Sequence, residues 1–474
     1  MIDERPQNAL HERYASPSMA RIFSAHNRYL QWRKLWVQLA ECQRELGLAI
    51  GEGQIDRLKA VAADIDLERV AEIELETRHD VVAHLRHFAE QAGDAGGVLH
   101  LGATSAFITD NTDLLLSRQA LELMIDRVAA VVANLGELAR RTKEIPTLAY
   151  THLQPAQLTT VGKRACLWAH DFLLDLAELR SLVADLRCRG AKGTTGTQAS
   201  FLTLFDGDHD KVVALDRMLA ERLGFEASYP VTGQTYPRKV DSRILRVLAG
   251  IAEGAHKMGN DVRLLQGLGE LREAFDAKQV GSSAMAYKRN PIRSERLCAL
   301  SRRLITDSLN GSLNAATQWL ERSLDDSANR RLVLTDCFLT ADAVAGLAAH
   351  VAEGLTPQTG VLAARVAREL PFMATETFLM EAAKRGGDRQ VLHERLRTYS
   401  MEAYAALSEG DENRLVERIA ADPDFHLSLE EARDLLDPQA FTGRSSEQVD
   451  EFLSQVLEPA LAGQTTAAVE APRV

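Results

Sequence analysis

Five long stretches of helical patterning constrain the fold of this chain more than any other feature. Apolar residues recur in them at the spacing of one helix face, with few prolines to interrupt it. The stretches cover residues 112–141, 155–187, 239–275, 294–320 and 328–353. At 1.5 Å per residue such helices would be roughly 40–55 Å long. Helices of this length usually belong to coiled coils, membrane spans or extended bundles.

Composition favours an extended bundle over a coiled coil or a set of membrane spans. The stretches carry charges and no apolar run approaches the ~20 residues that cross a bilayer, so membrane spans are excluded. Their apolar stripes are too wide for a two-stranded coiled coil. Aromatic residues make up only 5%, which argues against an all-β fold. We predict an all-α fold with an elongated central bundle of long helices (residues 112–357), flanked by two smaller helical domains (residues 1–111 and 358–474).

Charge and cysteine content narrow the function classes. The net charge of −12 argues against a general nucleic-acid binder, because phosphate attraction needs a cationic surface. The five cysteines are scattered and never in CxxC spacing, which favours reduced thiols over a disulfide scaffold or a zinc site. The polar, charged N-terminus has no apolar signal segment. These features predict a cytoplasmic protein that binds no membrane.

Local signals suggest where the long helices begin. Asp110 or Asn111 is the expected cap of the first, and Pro155 is a favourable first helical position for the second. His152 would then stand immediately before a helix start, where the field of the helix lowers its pKa. A lone histidine is, however, more often a surface or structural residue.

The third long stretch is rich in glycine, at Gly250, Gly254 and Gly259 and again at Gly267 and Gly269. Each glycine inside a helix costs up to about 1 kcal/mol relative to alanine. Small residues on one face would let another helix approach closely. We therefore predict that this helix lies in a subunit interface.

The segment Gly281–Glu295, GSSAMAYKRNPIRSE, carries the strongest chemical signal. Gly281 and the pair Ser282 and Ser283 favour a loop, and Asn290-Pro291 favours extended backbone before a helix restarts. Hydroxyls followed by the cations Lys288 and Arg289 suit a substrate whose negative charge grows during reaction. The alternative is a solvated basic loop.

Two further segments offer polar groups near expected helix starts. Arg78, His79 and Asp80 in TRHDVVAH could bind substrate or form a charged helix start, and the His79/His84 spacing is not that of a helical zinc site. LGATS places Thr104 and Ser105 beside backbone amides, which suits carboxylate binding or a helix cap. The glycine-rich RGAKGTTGTQAS does not match the nucleotide-triphosphate loop GxxxxGK[ST].

Arginines in ERSLDDSANRR form either a surface charge cluster or a phosphate-binding cradle, since guanidinium groups bind oxyanions in planar forks. In TGQTYPRKVD, Gln234 offers a polar side chain within a loop. The candidate phosphate-binding residues are Arg322, Ser327, Arg330 and Arg331, joined by Arg13 and Tyr14 near the N-terminus.

The segment SSAMAYKRNPIRSER closely resembles the signature of the fumarase/aspartase superfamily, and within it the animal-type adenylosuccinate lyases. Many members have Pro where this chain has Ala286. The resemblance runs in order through nearly the whole chain: RYASP, RHDVVAH, LGATS, THLQPAQLTTVGKR, KGTTGTQASF, TGQTYPRK, GSSAMAYKRNP and LDDSANRR.

This resemblance implies a fumarase/aspartase-like fold and a β-elimination that releases fumarate. The substrates would be adenylosuccinate, which gives AMP, and succinylaminoimidazole carboxamide ribotide (SAICAR), which gives AICAR. The family needs no metal or organic cofactor, and it forms homotetramers in which three subunits contribute to each active site. Alternatives are another lyase of the superfamily, such as argininosuccinate lyase, or a non-catalytic helical scaffold of the same fold.

The resemblance also implies a role for each matching residue. Ser282 is the base, with Ser283 the less favoured candidate, and His152 protonates the departing nitrogen. The succinyl carboxylates would be held by Lys288, Asn290, Thr104 and Ser105. The phosphate and sugar would be held by Arg13, Tyr14, Arg322, Ser327 and Arg331. The pocket would be completed by Arg78, His79, Asp80, Gln234 and Arg296.

Overall fold

The structure is a computed structural model, and it describes residues 8–275, 284–285 and 287–464. Ser282 and Ser283 lie outside the described residues. The described chain begins with a π-helical turn, Leu10–Tyr14, and a 3₁₀ turn, Gly93–Val98, precedes the first long helix. Between them lie α1 (Pro17–Ile22), α2 (Ala25–Glu45), α3 (Glu52–Val61), α4 (Leu67–Thr77) and α5 (Asp80–Ala92).

The central part contains five long helices in the described chain, together with short connecting elements. In chain order they are α6 (Ser105–Thr142), β1 (Pro146–Thr151), β2 (Gln154–Thr160), α7 (Val161–Asp185), α8 (Ala199–Leu204), α9 (His209–Arg222), α10 (Lys239–Gly267), β3 (Leu271–Arg272), α11 (Ile292–Ala316), α12 (Asp326–Gly354) and β4 (Thr356–Pro357). β1 and β2 form an antiparallel hairpin, and β3 pairs antiparallel with β4. The predicted all-α fold with long central helices is confirmed.

The C-terminal part consists of shorter helices. They are α13 (Thr359–Met373), α14 (Thr375–Lys384), α15 (Arg389–Ser408), α16 (Leu415–Ala421), α17 (Leu429–Asp434), α18 (Ser445–Phe452) and α19 (Glu458–Leu461), with short 3₁₀ or π turns at Pro423–Phe425, Pro438–Phe441 and Leu453–Leu457. Residues 374–432 enclose a core of their own. The chain then returns to the central bundle, where Val449 and Leu453 join the main core. The three-domain division of the sequence stays a prediction.

α6, α10 and α12 run in one direction and α11 runs in the other, which gives the bundle two distinct ends. Arg330 at the start of α12 reaches Asp113 at the start of α6 and Asp241 at the start of α10. We call this the front end. At the back end, where α6, α10 and α12 finish and α11 begins, Arg141 donates to the carbonyl of Leu355 at 2.6 Å.

The first long helix begins seven residues earlier than predicted, at Ser105 with Thr104 as its cap. Asp110 and Asn111 are therefore not caps. Both are buried within α6, and the side-chain oxygen of Asn111 accepts a hydrogen bond from the backbone N–H of Gly190 at 3.0 Å. Polar residues that looked like a helix start instead satisfy a buried loop.

The second long helix begins later than predicted, at Val161 and not at Pro155. Pro155 lies in β2 opposite Tyr150 of β1. Thr160 caps α7, because its hydroxyl accepts a hydrogen bond from the backbone N–H of Lys163 at 3.2 Å. Pro371 lies inside α13, two residues before its end.

The glycines of α10 allow close helix packing, but within one chain. A Cβ added at Gly250 would lie 2.8 Å from a carboxylate oxygen of Asp175 on α7, and one at Gly259 would lie 2.8 Å from the sulfur of Cys298 on α11. These glycines are therefore explained by the intrachain approach of α7 and α11 to α10. The subunit interface on this helix stays a prediction.

Among the described helices, α12 is long and apolar enough to cross a membrane, with 78% of its most apolar window buried inside the fold. The sequence-based statement that no apolar run approaches this length is wrong for α12. α12 is apolar because it is a central core helix, packed against α6, α10 and α11.

A buried carboxyl on α7 makes the stability of the bundle depend on pH. Burial, followed by the charges of Glu178, Asp171 and Glu253, raises the pKa of Asp175 to about 7. The folded protein holds this proton more strongly than the unfolded chain, so the stability contributed by Asp175 falls as pH rises from about 4 to about 7.

We therefore expect the Asp175→Asn substitution to become more favourable as pH rises. Between pH 5 and pH 8, the difference in unfolding free energy between variant and wild type should shift by roughly 2 kcal/mol toward the variant. Chemical denaturation at both pH values measures it. The control is Asp185→Asn on the same helix, where the carboxyl is 58% exposed and no such shift is expected. An equal difference at both pH values would contradict the prediction.

Candidate active site

The predicted site residues fall into two groups, one at each end of the bundle. At the front end, His79 caps α5 and its Nδ1 accepts a hydrogen bond from the backbone N–H of Val82 at 3.4 Å. Its Nε2 lies 3.3 Å from the hydroxyl of Ser105 at the start of α6. The imidazole of His79 therefore joins the start of α5 to the start of α6. Two predicted segments, RHD and LGATS, therefore meet directly.

An ion pair joins α12 to this group. A guanidinium nitrogen of Arg331 lies 2.5 Å from a carboxylate oxygen of Asp80. Burial alone would raise the pKa of Asp80, but the hydrogen bond and charge of Arg331 outweigh it and lower that pKa. Arg331 remains 66% exposed, so its guanidinium can accept a further anionic partner.

Arg322, Ser327 and Gln234 lie beside the same helix start. Ser327 precedes Arg331 by four residues, so the two side chains share one face of α12. The backbone N–H of Gln234 donates to the carbonyl of Glu321 at 2.9 Å, which holds the Gln234 loop against the residue before Arg322. Arg322 in turn donates to Asp326 at 2.6 Å.

The buried charges beneath this surface were not predicted. Arg238 donates to Asp326 at 2.6 Å and to both carboxylate oxygens of Asp110, at 3.1 and 3.2 Å. Arg330 donates to Asp241 at 2.7 Å and to the hydroxyl of Tyr236, also at 2.7 Å. We call Arg238, Arg330 and their aspartate partners the front-end ion network. Its only sequence signal was charged residues at helix positions that would otherwise be apolar.

Arg330 is therefore not part of a phosphate cradle, contrary to one interpretation of the sequence. Its guanidinium is buried and engaged by aspartates, whereas Arg331, the next residue, points to the surface. Arg13 and Tyr14 lie in the π-helical turn that packs against α12. The backbone N–H of Ser16 anchors this turn to Asp342 at 2.8 Å. No described hydrogen bond or ion pair joins Arg13 or Tyr14 to Arg331.

His152 lies at the back end and is not next to a helix start. It occupies the turn of the β1–β2 hairpin with φ of 53°, exposed, and α7 begins nine residues further on. The predicted position of His152 immediately before a helix start is therefore wrong. The hairpin is anchored by Tyr150, whose hydroxyl donates to buried Glu270 at 2.7 Å, and Arg365 donates to the same carboxylate at 2.8 Å.

The described residues of the signature segment also lie at the back end. Asn290 and Pro291 lie outside any helix and α11 begins at Ile292, so the predicted helix restart is confirmed. Lys288 is exposed, and Arg296 is half-buried on the second turn of α11. The proposed base, Ser282, and its alternative, Ser283, lie outside the described residues.

The two groups cannot meet on one small molecule within a single chain. α10 has 29 residues, so its ends are roughly 43 Å apart. The front-end group adjoins its start through Arg238 and Asp241, and the signature segment adjoins its end through Gln266, which donates to the carbonyl of Arg289 at 3.0 Å. A site that uses both groups must combine ends from different chains.

No cluster of three or more metal-binding side chains occurs in the part of the chain that the structure describes. All five cysteines are free and buried. Burial raises the pKa of Cys42, Cys166, Cys188 and Cys337 to about 12, so these thiols are not poised for nucleophilic chemistry.

Solved structures with the same fold extend over nearly the whole chain. A 3-carboxy-cis,cis-muconate lactonizing enzyme from Pseudomonas putida matches with a TM-score of 0.82 and 22% identity, covering 96% of this chain and 100% of that one. A fumarate lyase from Mesorhizobium sp. BNC1 matches with a TM-score of 0.80 and 23% identity, covering 95% and 100%. At these identities the similarity shows the fold alone.

Sequence comparison is more specific. A family model described as Lyase matches residues 15–305, and one described as Adenylosuccinate lyase C-terminus matches residues 371–452. The adenylosuccinate lyase of Saccharomyces cerevisiae is 46% identical over 95% of both chains, and that of Schistosoma mansoni is 45% identical over 97% of this chain and 96% of its own. The adenylosuccinate lyase of Methanocaldococcus jannaschii is 32% identical over 93% and 94%. The chain therefore belongs to the adenylosuccinate lyase family.

Proposed function

We propose that this protein is a carbon–nitrogen lyase that releases fumarate from adenylosuccinate, leaving AMP, and from SAICAR, leaving AICAR. The observation that carries the proposal is the similarity to adenylosuccinate lyases over nearly the full length of both chains. These reactions belong to purine nucleotide biosynthesis, which for this chain implies a cytoplasmic location.

The reaction breaks one C–H bond and one C–N bond and forms the double bond of fumarate. Ser282 removes the proton beside the succinyl carboxylate, and His152 protonates the departing nitrogen. An unperturbed serine is too weak a base, so its environment must stabilise the alkoxide, with the charge of Lys288 contributing. Exposure at a hairpin turn leaves His152 free to approach a substrate held by another chain.

The front-end group binds the rest of the substrate. Arg331 is exposed yet oriented by Asp80, and Ser327 shares its helix face, so together with Arg322 they can surround a phosphate. Thr104 and Ser105 stand at the start of α6, where backbone N–H groups favour a carboxylate. Further binding residues in this proposal are Arg13, Tyr14, Arg78, His79, Asp80, Gln234, Lys288, Asn290 and Arg296.

The active form is a homotetramer with sites shared between subunits. The support is the separation of the front-end and back-end groups by the length of α10, together with the need for both in one reaction. Three chains contribute to each site when His152 and the signature segment also come from different subunits.

Argininosuccinate lyase activity is the alternative reaction, and a non-catalytic scaffold is the other alternative. Both are less consistent with the exposed Arg331 beside Ser327, because an argininosuccinate site has no phosphate to bind and a scaffold has no need for the signature residues.

The first prediction concerns the reaction itself. Purified protein with adenylosuccinate or SAICAR should release fumarate, followed by ultraviolet absorbance, whereas argininosuccinate should give none. Ser282→Ala and His152→Ala should each lose at least 100-fold in kcat, because general acid and base groups contribute about 10²–10⁴-fold. Fumarate from argininosuccinate alone would support the alternative lyase, and none from any substrate would support the scaffold.

The second prediction concerns the phosphate. Arg331→Ala should raise KM for adenylosuccinate by about 10-fold or more, since a hydrogen bond between charged groups contributes about 1.5–3 kcal/mol. The dephosphorylated substrate should show little difference between variant and wild type. Arg397→Ala is the control, because Arg397 is similarly exposed at 61% and also paired with a carboxylate. Equal losses on both substrates would exclude a phosphate contact.

The third prediction tests shared sites by mixing variants that are defective at different ends. His79→Ala is defective at the front end and Lys288→Ala at the back end, so in reassembled mixtures about one quarter of sites should combine two intact ends. Mixing His79→Ala with Arg331→Ala is the control, because every front end is then defective and mixing should add nothing to the residual activity of the two variants. Verified mixed tetramers of the first pair without recovered activity would contradict sharing.

The same method tests whether a third chain contributes. Ser282→Ala and His152→Ala both alter the back end, so they complement each other only when these two residues reach a site from different subunits. Recovered activity in their mixture supports a site made by three chains. A site made by two chains is indicated when this mixture stays inactive and the mixture of His79→Ala with Lys288→Ala recovers activity.

A further inference from the structure

Residues 274–275, which precede the signature segment, are cross-linked to Arg289 and Arg293 within it. On the incoming side Phe275 packs under the guanidinium of Arg289, 4.9 Å from the ring centre. The side chain of Arg293 donates to the carbonyl of Ala274 at 2.5 Å. The chain before the segment and the second half of the segment are therefore held together.

Glu273 supplies the helix cap that α11 lacks. Pro291, the residue before α11, has no side chain that can accept a hydrogen bond, and α11 has no cap of its own. The carboxylate of Glu273 instead accepts from the backbone N–H groups of Arg293, at 3.2 Å, and Ser294, at 2.7 Å. A carboxylate at this position also interacts favourably with the positive end of the helix dipole.

Gln266, in the last turn of α10, strengthens the same junction. Its side-chain nitrogen donates to the carbonyl of Arg289 at 3.0 Å, and its side-chain oxygen accepts from the backbone N–H of Glu273 at 3.1 Å. One amide therefore binds both the chain before the signature segment and Arg289 within it. We call Gln266 and Glu273 the segment clamp.

We propose that Glu273, assisted by Gln266, is a positioning residue for the elimination. It fixes the start of α11, and thereby the location of Lys288, Asn290 and Arg296, relative to the rest of the back end. Asn290 lies three residues before Arg293, and Arg296 three residues after it, so both must move if the cap is lost. In an active site a displacement of about 1 Å can cost on the order of 100-fold in rate.

A purely structural cap would act differently. It would reduce the amount of folded protein, which lowers apparent kcat and leaves KM unchanged. A positioning role displaces groups that hold the substrate, so KM rises while kcat falls in protein that is fully folded. The two roles are therefore separable by the division of the effect between kcat and KM.

The test compares Glu273→Ala with Asp388→Ala, a matched cap. Asp388 accepts from the backbone N–H groups of Gln390, at 2.8 Å, and Val391, at 3.2 Å, at the start of α15 in the separate C-terminal core. Both variants should lower Tm by similar amounts. With adenylosuccinate, at a temperature where both are folded, Glu273→Ala should lose at least 10-fold in kcat/KM with a severalfold rise in KM, and Asp388→Ala should match wild type.

Two further variants keep the test decisive when Glu273→Ala does not fold. Glu273→Gln retains an accepting oxygen and should recover part of the loss, and Gln266→Ala should show a smaller loss in the same direction. Hydrogen exchange at the amide of Ser294 should accelerate in Glu273→Ala, which reports the cap without any activity. Unchanged KM in all folded variants would overturn the proposal.

The inference rests on the proposed function, and the wild-type protein separates the two. Fumarate release by wild type establishes the reaction, after which the variants decide the role of Glu273. An inactive wild type with accelerated exchange in Glu273→Ala would reject the proposed function while leaving the cap in place.

Discussion

The front-end ion network determines how the long helices are aligned. Arg238 and Arg330 bind aspartates on three different helices, and nearly all of these groups are buried. Removing one partner from a buried pair typically costs about 3–5 kcal/mol, because it leaves an uncompensated charge. Sliding one helix against another would break several such pairs together. The alignment therefore places Arg331 of α12 beside Asp80 and, through His79, beside the start of α6.

Helix length then limits what one chain can do alone. The helices that align the front end also carry the signature segment and the His152 hairpin to the back end, roughly 43 Å away for α10. No fold-back in the described chain brings the ends together. An active site that needs both groups therefore makes association between chains a requirement of the chemistry.

The sequence predicted the five long helices and the all-α class, because apolar periodicity over 25 residues or more has few alternatives. The predicted helix starts were wrong where the same residue type is common both at helix starts and in another setting. Asp110 and Asn111 have the composition of a cap and are instead buried partners of Arg238 and Gly190. Proline is equally acceptable in the first turn of a helix and in an edge strand. Only the pairing of Pro155 with Tyr150 shows that it lies in a strand.

Candidate site residues came from motif resemblance, and the structure adds their grouping. Whether Arg330 or Arg331 faces the surface cannot be inferred from adjacent arginines, since it depends on the rotation of α12 in the bundle. The segment clamp formed by Gln266 and Glu273 could not be predicted from the sequence either. Three of its hydrogen bonds go to backbone groups 20 to 23 residues away, which leave no side-chain pattern in the sequence.

The two ends of the bundle are held rigid by different interactions: buried ion pairs at the front end, and hydrogen bonds to two carboxylates at the back end. At the front end, buried ion pairs hold residues of several helices in one arrangement before any substrate arrives. At the back end, the carboxylates of Glu270 and Glu273 instead tie a hairpin and a helix start to the bundle, through Tyr150 and through the backbone of Ser294. In the proposed shared site, the hairpin and the start of α11 reach a substrate held by another chain, so errors in local placement add to errors in subunit docking. Directed hydrogen bonds to the hairpin and to the start of α11 limit the first kind of error without burying the surface that has to meet the partner.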